Sequence, residues 1–197
     1  MIFPRIKPLL WLLILSSLSG CSALMPKEGK EALQDNLTEL KHWQVRGKLS
    51  VRSPDDSVTG YLDWDQDNRD YDIYIAGPFG QGATRLSGDP YSASLTLPGW
   101  DSPQFADSPE ELMETYMGWN FPVSDIRYWV KGQPSPNAKS TAEFDEYGLL
   151  SVLRQHGWEV RYSRYQQQNG YWLPGLVKVT GYDFRFTFAI REWTLHD

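Results

Sequence analysis

From Trp43 the chain alternates in character: Trp43, Val45, Gly47, Leu49 and Val51 stand against Gln44, Arg46, Lys48, Ser50 and Arg52. A period of two marks an antiparallel strand with one apolar face. Ser53-Pro54-Asp55-Asp56 supplies turn residues. Alternation resumes with Val58, Leu62 and Trp64, turns at Asp67-Asn68, and returns with Tyr71, Ile73 and Ile75. Further strands are expected over 83–88 and 91–97, the second following Asp89-Pro90. Sequential strands joined by short turns predict a meander.

The period changes in two places. Before the first strand, Leu33, Leu37 and Leu40 share one face of a helix expected over 30–42. In the middle, Ser108-Pro109-Glu110-Glu111 combines an N-cap Ser, Pro at the first helical position and Glu at the third. That helix should run to about Gly118 and present Leu112, Tyr116 and Trp119. A second short helix is expected from Ser124 to Val130, ended by Gly132. Beyond Pro134 and Pro136, strands are expected over 140–146, 149–155, 157–165, 175–181 and 184–195. In the last, Phe184, Phe186, Phe188 and Ile190 face one way. The fold class is mainly β (α+β): a curved antiparallel sheet of about ten strands with a helical insertion against its concave face.

The first residues read as an address. Arg5 and Lys7 precede the apolar run 9–15, too short to span a bilayer. Leu18-Ser19-Gly20-Cys21 follows, and Cys21 is the sole cysteine. Small residues before a cysteine resemble the lipobox of bacterial lipoproteins. That resemblance implies a diacylglyceryl group on the thiol, cleavage before Cys21 and acylation of the new amine. Ser22, in place of the Asp that marks inner-membrane retention, implies the periplasmic face of the outer membrane. The expected division is a signal peptide over 1–20, a lipidated cysteine and linker over 21–29, and one domain over 30–197. Residues 22–29 span at most about 26–29 Å, which keeps the domain close to the bilayer.

Removing 1–20 leaves 17 basic and 25 acidic residues, a net charge of −8. That acidity argues against nucleic acid as a partner. His42, His156 and His196 lack metal-ligand spacing, and no GxSxG, HExxH, P-loop or dinucleotide glycine set is present. A non-catalytic role follows, with no cofactor beyond the lipid on Cys21. Nine Trp, eleven Tyr and eight Phe suit either a packed core or a cavity for something apolar.

Gly77-Pro78-Phe79-Gly80-Gln81-Gly82 is turn chemistry that puts Phe79 at a loop tip. The ring either folds back onto the sheet or stands out as a wedge for a bilayer or a partner's groove. The short tether favours the wedge.

Several motifs recur in order: W-x-V-x-G-K-L-x-V-R at 43–52, L-x-W at 62–64 and Y-x-I-x-I-x-G-P-F-G-Q-G at 71–82. They continue with P-E-E-L at 109–112, W-x-x-P-V at 119–123, Y-W-V-x-G-x-P-x-P at 128–136 and G-W-x-V-x-Y at 157–162. In series these resemble the LolB family, outer-membrane receptors of the lipoprotein localisation pathway. The resemblance implies an unclosed antiparallel β-barrel with a helical lid over a hydrophobic cavity, related in fold to the soluble carrier LolA. It implies a monomer that takes lipoproteins by their acyl chains from a LolA-type carrier and delivers them into the outer-membrane bilayer. The family's protruding loop, with an apolar tip residue important in transfer, falls on Phe79. Strand and helix phase then assign the acyl-chain cavity to Trp43, Val45, Leu49, Leu62, Trp64, Ile73, Ile75, Leu112, Tyr116, Trp129, Phe184, Phe186 and Phe188, each of which either lines a cavity or packs as core. The rival readings are a receptor or shuttle for another lipid (lipopolysaccharide or phospholipid), a filled-core assembly scaffold, and an envelope hydrolase.

Overall fold

A computed structural model describes residues 36–136 and 138–196. Cys21, the expected signal peptide and the linker lie outside the described residues, as do residues 30–35 of the expected N-terminal helix. Of that helix only a 3-10 turn, Asn36–Thr38, is present among the described residues. The chain is extended by His42, because His42 pairs with Asp67 at the end of the first hairpin. Leu37 and Leu40 are nevertheless buried.

Among the described residues, eleven strands form one antiparallel sheet. The first four are β1 (His42–Arg52), β2 (Ser57–Asp67), β3 (Asp70–Ala76) and β4 (Thr84–Gly88). After β5 (Ala93–Thr96) and a short edge strand β6 (Gln104–Ala106) come two helices, α1 (Pro109–Met117) and α2 (Val123–Trp129). Then follow β7 (Ser140–Phe144), β8 (Leu150–Gln155) and β9 (Trp158–Ser163). A separate hairpin of β10 (Gln166–Gln168) and β11 (Tyr171–Leu173) precedes β12 (Leu176–Gly181) and β13 (Phe184–Leu195). The order across the sheet is β6-β5-β4-β3-β2-β1-β13-β12-β9-β8-β7, so the meander runs in from one edge and the C-terminal strand inserts beside β1. The ends β6 and β7 do not pair, and the sheet is unclosed.

The predicted alternation sets the inner face. Trp43, Val45, Leu49 and Val51 of β1 are buried, as are Leu62 and Trp64 of β2 and Phe186, Phe188 and Ile190 of β13. Gly47 is needed where β1 meets β13, since a Cβ there would run into the Ala189 carbonyl. The register shifts at the same place, leaving Arg191 as the extra residue of a bulge. The polar face of the sheet carries cross-strand pairs: Ser50 with Thr59, Arg46 with Asp63, Arg85 with Asp72.

Beyond the expected elements, β6 and the β10–β11 hairpin are additions. The hairpin turns on Asn169-Gly170, both with positive φ (47° and 86°), the geometry that a two-residue Asn-Gly turn provides. The strand expected over 91–97 begins only at Ala93, because Asp89 accepts hydrogen bonds from the Tyr91 and Ser92 backbone N–H groups and holds a turn there.

Helix α1 starts as its sequence dictates: the Ser108 hydroxyl accepts from Glu111 N (3.3 Å), and Gly118 closes it in the left-handed conformation (φ 67°). Glu110 turns outward to accept from Ser124 N in the first turn of α2 (2.7 Å), tying the helices together. The C-terminal end of α2 is anchored through Gln155 of β8. Gln155 accepts from Trp129 Nε1 and Ser135 N, each at 2.8 Å, and donates to the Ser135 and Ala138 carbonyls. Next to it, Lys131 donates to the carbonyls of Leu37 (3.1 Å) and Leu40 (2.8 Å).

Candidate functional site

The inner face is not filled. Between the sheet and the two helices lies an apolar cavity of about 390 Å³, within the range of roughly 300–1,000 Å³ typical of small-ligand sites. Its walls come from β1 to β5 (Leu49, Val51, Trp64, Ile73, Ile75, Leu86, Leu95), from β13 (Phe186, Phe188) and from the helical insertion (Met113, Met117, Trp119, Phe121, Val123, Ile126). One cavity touched by both β4 and β13 requires the sheet to curl around it.

Of the residues that strand and helix phase assigned to the cavity, Leu49, Trp64, Ile73, Ile75, Phe186 and Phe188 stand together in its walls. The others are elsewhere. Trp43 packs between Trp64 (5.0 Å between ring centroids) and Trp193 (5.4 Å), with Val45 fully buried beside it on β1. Leu62, opposite Gly47 and Ile75, is buried core. Trp129 is fully buried and bound to Gln155, and Leu112 is part of the packed core. Tyr116 lies on the outside of α1, its ring against Trp100 (5.0 Å) and its hydroxyl donating to Gln104. Phe184 belongs to an aromatic group with Trp119 and Phe186 at the β13 end.

The helix face turned to the cavity is that of Met113 and Met117, spaced i and i+4, one position round from Leu112 and Tyr116. That spacing was present in the sequence. Pliable thioether side chains adapt to ligands of variable shape, which makes the pair functionally suggestive as well as helical.

The cavity's rim reaches Val58 and Thr59 on β2 and Gly77, Gln81 and Gly82 in the β3–β4 loop. This loop is held tightly by its own backbone: Gly77 N donates to the Gln81 carbonyl (2.7 Å), Gly80 N to Gly77 (3.1 Å) and Gln81 N to Pro78 (3.3 Å). At its tip Phe79 is completely exposed (102%) and adopts φ 60°, ψ 23°. A bulky residue in the left-handed region carries a backbone cost, and here no packing of the ring offsets it. An exposed aromatic at strained backbone thus stands at the mouth of an apolar cavity.

Among the described residues, no group of His, Cys, Asp and Glu is placed to hold a metal ion. His156 Nδ1 lies 2.6 Å from the Asp125 carboxylate at the start of α2, one more tie between lid and sheet.

Residues 41–193 match the family model described as outer membrane lipoprotein LolB. The chain is 42% identical to the outer-membrane lipoprotein LolB of Pseudomonas paraeruginosa over 188 residues, 91% of each chain. It is 42% identical to that of Pseudomonas fluorescens over 185 residues, 89% of this chain and 90% of the relative. In fold it is similar to a LolA superfamily protein from Nitrosomonas europaea, with a TM-score of 0.56 at 9% identity, covering 86% of this chain and 94% of that one. A putative outer membrane lipoprotein-sorting protein domain from Vibrio parahaemolyticus gives a TM-score of 0.53 over 85% and 94%. With the curled unclosed sheet, the lidded apolar cavity and the match over most of its length, this chain belongs to the LolB family of outer membrane lipoproteins.

Proposed function

We propose that this protein, anchored through lipid on Cys21 to the periplasmic face of the outer membrane, accepts lipoproteins from a LolA-type carrier by their acyl chains and passes them into the bilayer. The observation that carries the reading is the continuity between the apolar cavity and the loop bearing Phe79. Burying acyl chains contributes roughly 0.8 kcal/mol per CH2, about 12 kcal/mol for one palmitoyl chain. Chains of that kind cannot cross water free, so they must move from one apolar enclosure to the next. Direction then needs only ascending affinity from carrier to receptor to bilayer, with no nucleotide. A hollow interior supports lipid binding over a filled-core scaffold. Phe79 enters the bilayer surface and opens a path of apolar contact from the cavity mouth to the lipid.

The test mixes purified protein with a carrier–lipoprotein complex and liposomes, and follows the cargo by sedimentation. Cargo should leave the carrier and appear in the liposomes. Cargo that stays on the carrier refutes the receptor role. The Cys21→Ala chain should take up cargo yet no longer pellet with envelopes, and a variant that still pellets contradicts the anchor.

A further inference from the structure

The far end of the cavity differs from its mouth. There Trp64, Ile73 and Val123 also border a second, smaller cavity of about 140 Å³. Its lining includes Gln66, Tyr71, Asp89, Asp107, Ser108 and Arg127. Several of these groups are satisfied within the protein. Gln66 accepts from Trp64 Nε1 and donates to the Asn68 and Asp70 carbonyls. Asp89 accepts from two backbone N–H groups, and Ser108 caps α1.

Two polar atoms are not satisfied. Tyr71 Oη and Arg127 Nε are shielded from solvent and have no hydrogen-bond partner among the described residues. The Arg127 guanidinium is held in place, since Nη2 donates to Tyr128 Oη (3.0 Å) and the group lies over the Tyr128 ring. Buried donors are nearly always paired in native proteins. The side chains that carry these two atoms both line one small cavity next to an apolar one, and that is where a ligand would bring acceptors within reach. The Arg127 N–H only donates, and the Tyr71 hydroxyl can donate. Burial first, then the charges of Glu110 and Asp89, push the Tyr71 phenol up, so it stays protonated. The lining sets Asp89 and Asp107 against Arg69 and Arg127, so it carries no net charge and offers a phosphate no net attraction to offset the loss of its water. A neutral ester or amide carbonyl meets both conditions.

We propose that this polar cavity receives the ester or amide carbonyls at the head of an acylated cargo, whose chain runs through the apolar cavity toward the Phe79 loop. The inference rests on the acyl-chain reading of the larger cavity. Strand β3 measures the path: Tyr71 borders the polar cavity, Ile73 both, and Ile75 and Gly77 the apolar one. Six residue steps span about 20 Å, against about 15 Å for the chains of one leaflet, half of a hydrocarbon core about 30 Å thick. Cargo seated this way presents its chain ends to the Phe79 loop, and phosphate-bearing lipids are bound less well.

The experiment loads the Cys21→Ala chain with a fluorescent apolar probe and displaces it with a triacylated Cys-Ser lipopeptide or with phosphatidylglycerol. In Tyr71→Phe and in Arg127→Met, the lipopeptide affinity relative to that of the probe should fall about five- to tenfold. In the parent, lipopeptide should displace better than phosphatidylglycerol. With 13C-labelled carbonyls, the infrared carbonyl band of bound lipopeptide should lie at lower frequency in the parent than in Tyr71→Phe. The ligand-free Tyr71→Phe chain should melt no lower than the parent, because it loses only an unpaired hydroxyl. Unchanged relative affinity in both variants, or tighter binding of phosphatidylglycerol, overturns the proposal. If lipopeptide displaces no probe even from the parent, the receptor reading itself fails and takes this inference with it.

Discussion

Replacing Phe79 by Gly separates the membrane role of the loop from its stability. The ring is completely exposed, so deleting it removes no packing. The backbone at φ 60° suits Gly and penalises other residues by about 1–2 kcal/mol. Part of that relief is offset by the greater freedom of Gly in the unfolded chain, leaving a gain of about 1 kcal/mol, or about 2–4 °C in melting midpoint for a domain of this size. Function should move the opposite way. A Phe side chain taken from water into an apolar medium contributes about 1.5–3 kcal/mol, a factor of roughly 10–150 in membrane partition. Release of bound lipoprotein into liposomes should therefore slow by one to two orders of magnitude, while uptake from the carrier stays as in the parent. Phe79→Glu should show the same split without the stability gain. The reasoning is refuted if Phe79→Gly melts below the parent, or if release runs at the parent rate.

Three further outcomes are expected. Ile75→Trp, in the cavity wall, should fill the space next to the mouth and weaken displacement of an apolar probe by lipoprotein at least tenfold; unchanged binding would show that cargo does not use this cavity. Gly47→Ala should destabilise by about 3 kcal/mol as its methyl group forces β1 away from Ala189, seen as a lowered urea midpoint; a midpoint equal to the parent's would contradict the described register. Burial, reinforced by Arg127, holds Lys131 down at about 8, below its ordinary 10.5. The unfolded chain therefore binds that proton more tightly, and stability rises with pH from about 8 toward 10.5. The rise between pH 7.5 and 9.5 is about 2 kcal/mol, and above about pH 10 the buried Tyr162 and the partly buried Tyr71 and Tyr165, all pushed up, reverse it. Urea midpoints at the two pH values should show the rise in the parent and lose most of it in Lys131→Met; an identical rise in the variant refutes the assignment.

The strands that carry strict alternation, β1 and β13 above all, were legible because one face is buried and a one-residue slip would expose it. Helix α1 was legible from Ser108, Pro109 and Gly118, whose capping roles are local. The 3-10 turn at Asn36–Thr38 was not, since the spacing of Leu37 and Leu40, both buried, matches a longer helical stripe as well as a single turn. The β10–β11 hairpin carried its signal in Asn169-Gly170, but the polar run 166–168 masked the strand pattern. The cavity was only half legible for a deeper reason. Inward phase places both Trp43 and Leu49 on one face of β1, yet only tertiary packing puts Trp43 between two indoles and Leu49 in an open wall. Met113 and Met117 were overlooked because Leu112 and Tyr116 offered an equally good helical stripe.

The lack of pairing between β6 and β7 has a mechanical consequence. In a closed barrel, strand number and shear fix the radius, so any change of girth must break ladder bonds. Here the seam was never sewn. The wall can dilate by a change of twist alone, with the ladder bonds kept, so strand number does not fix the girth of the cavity.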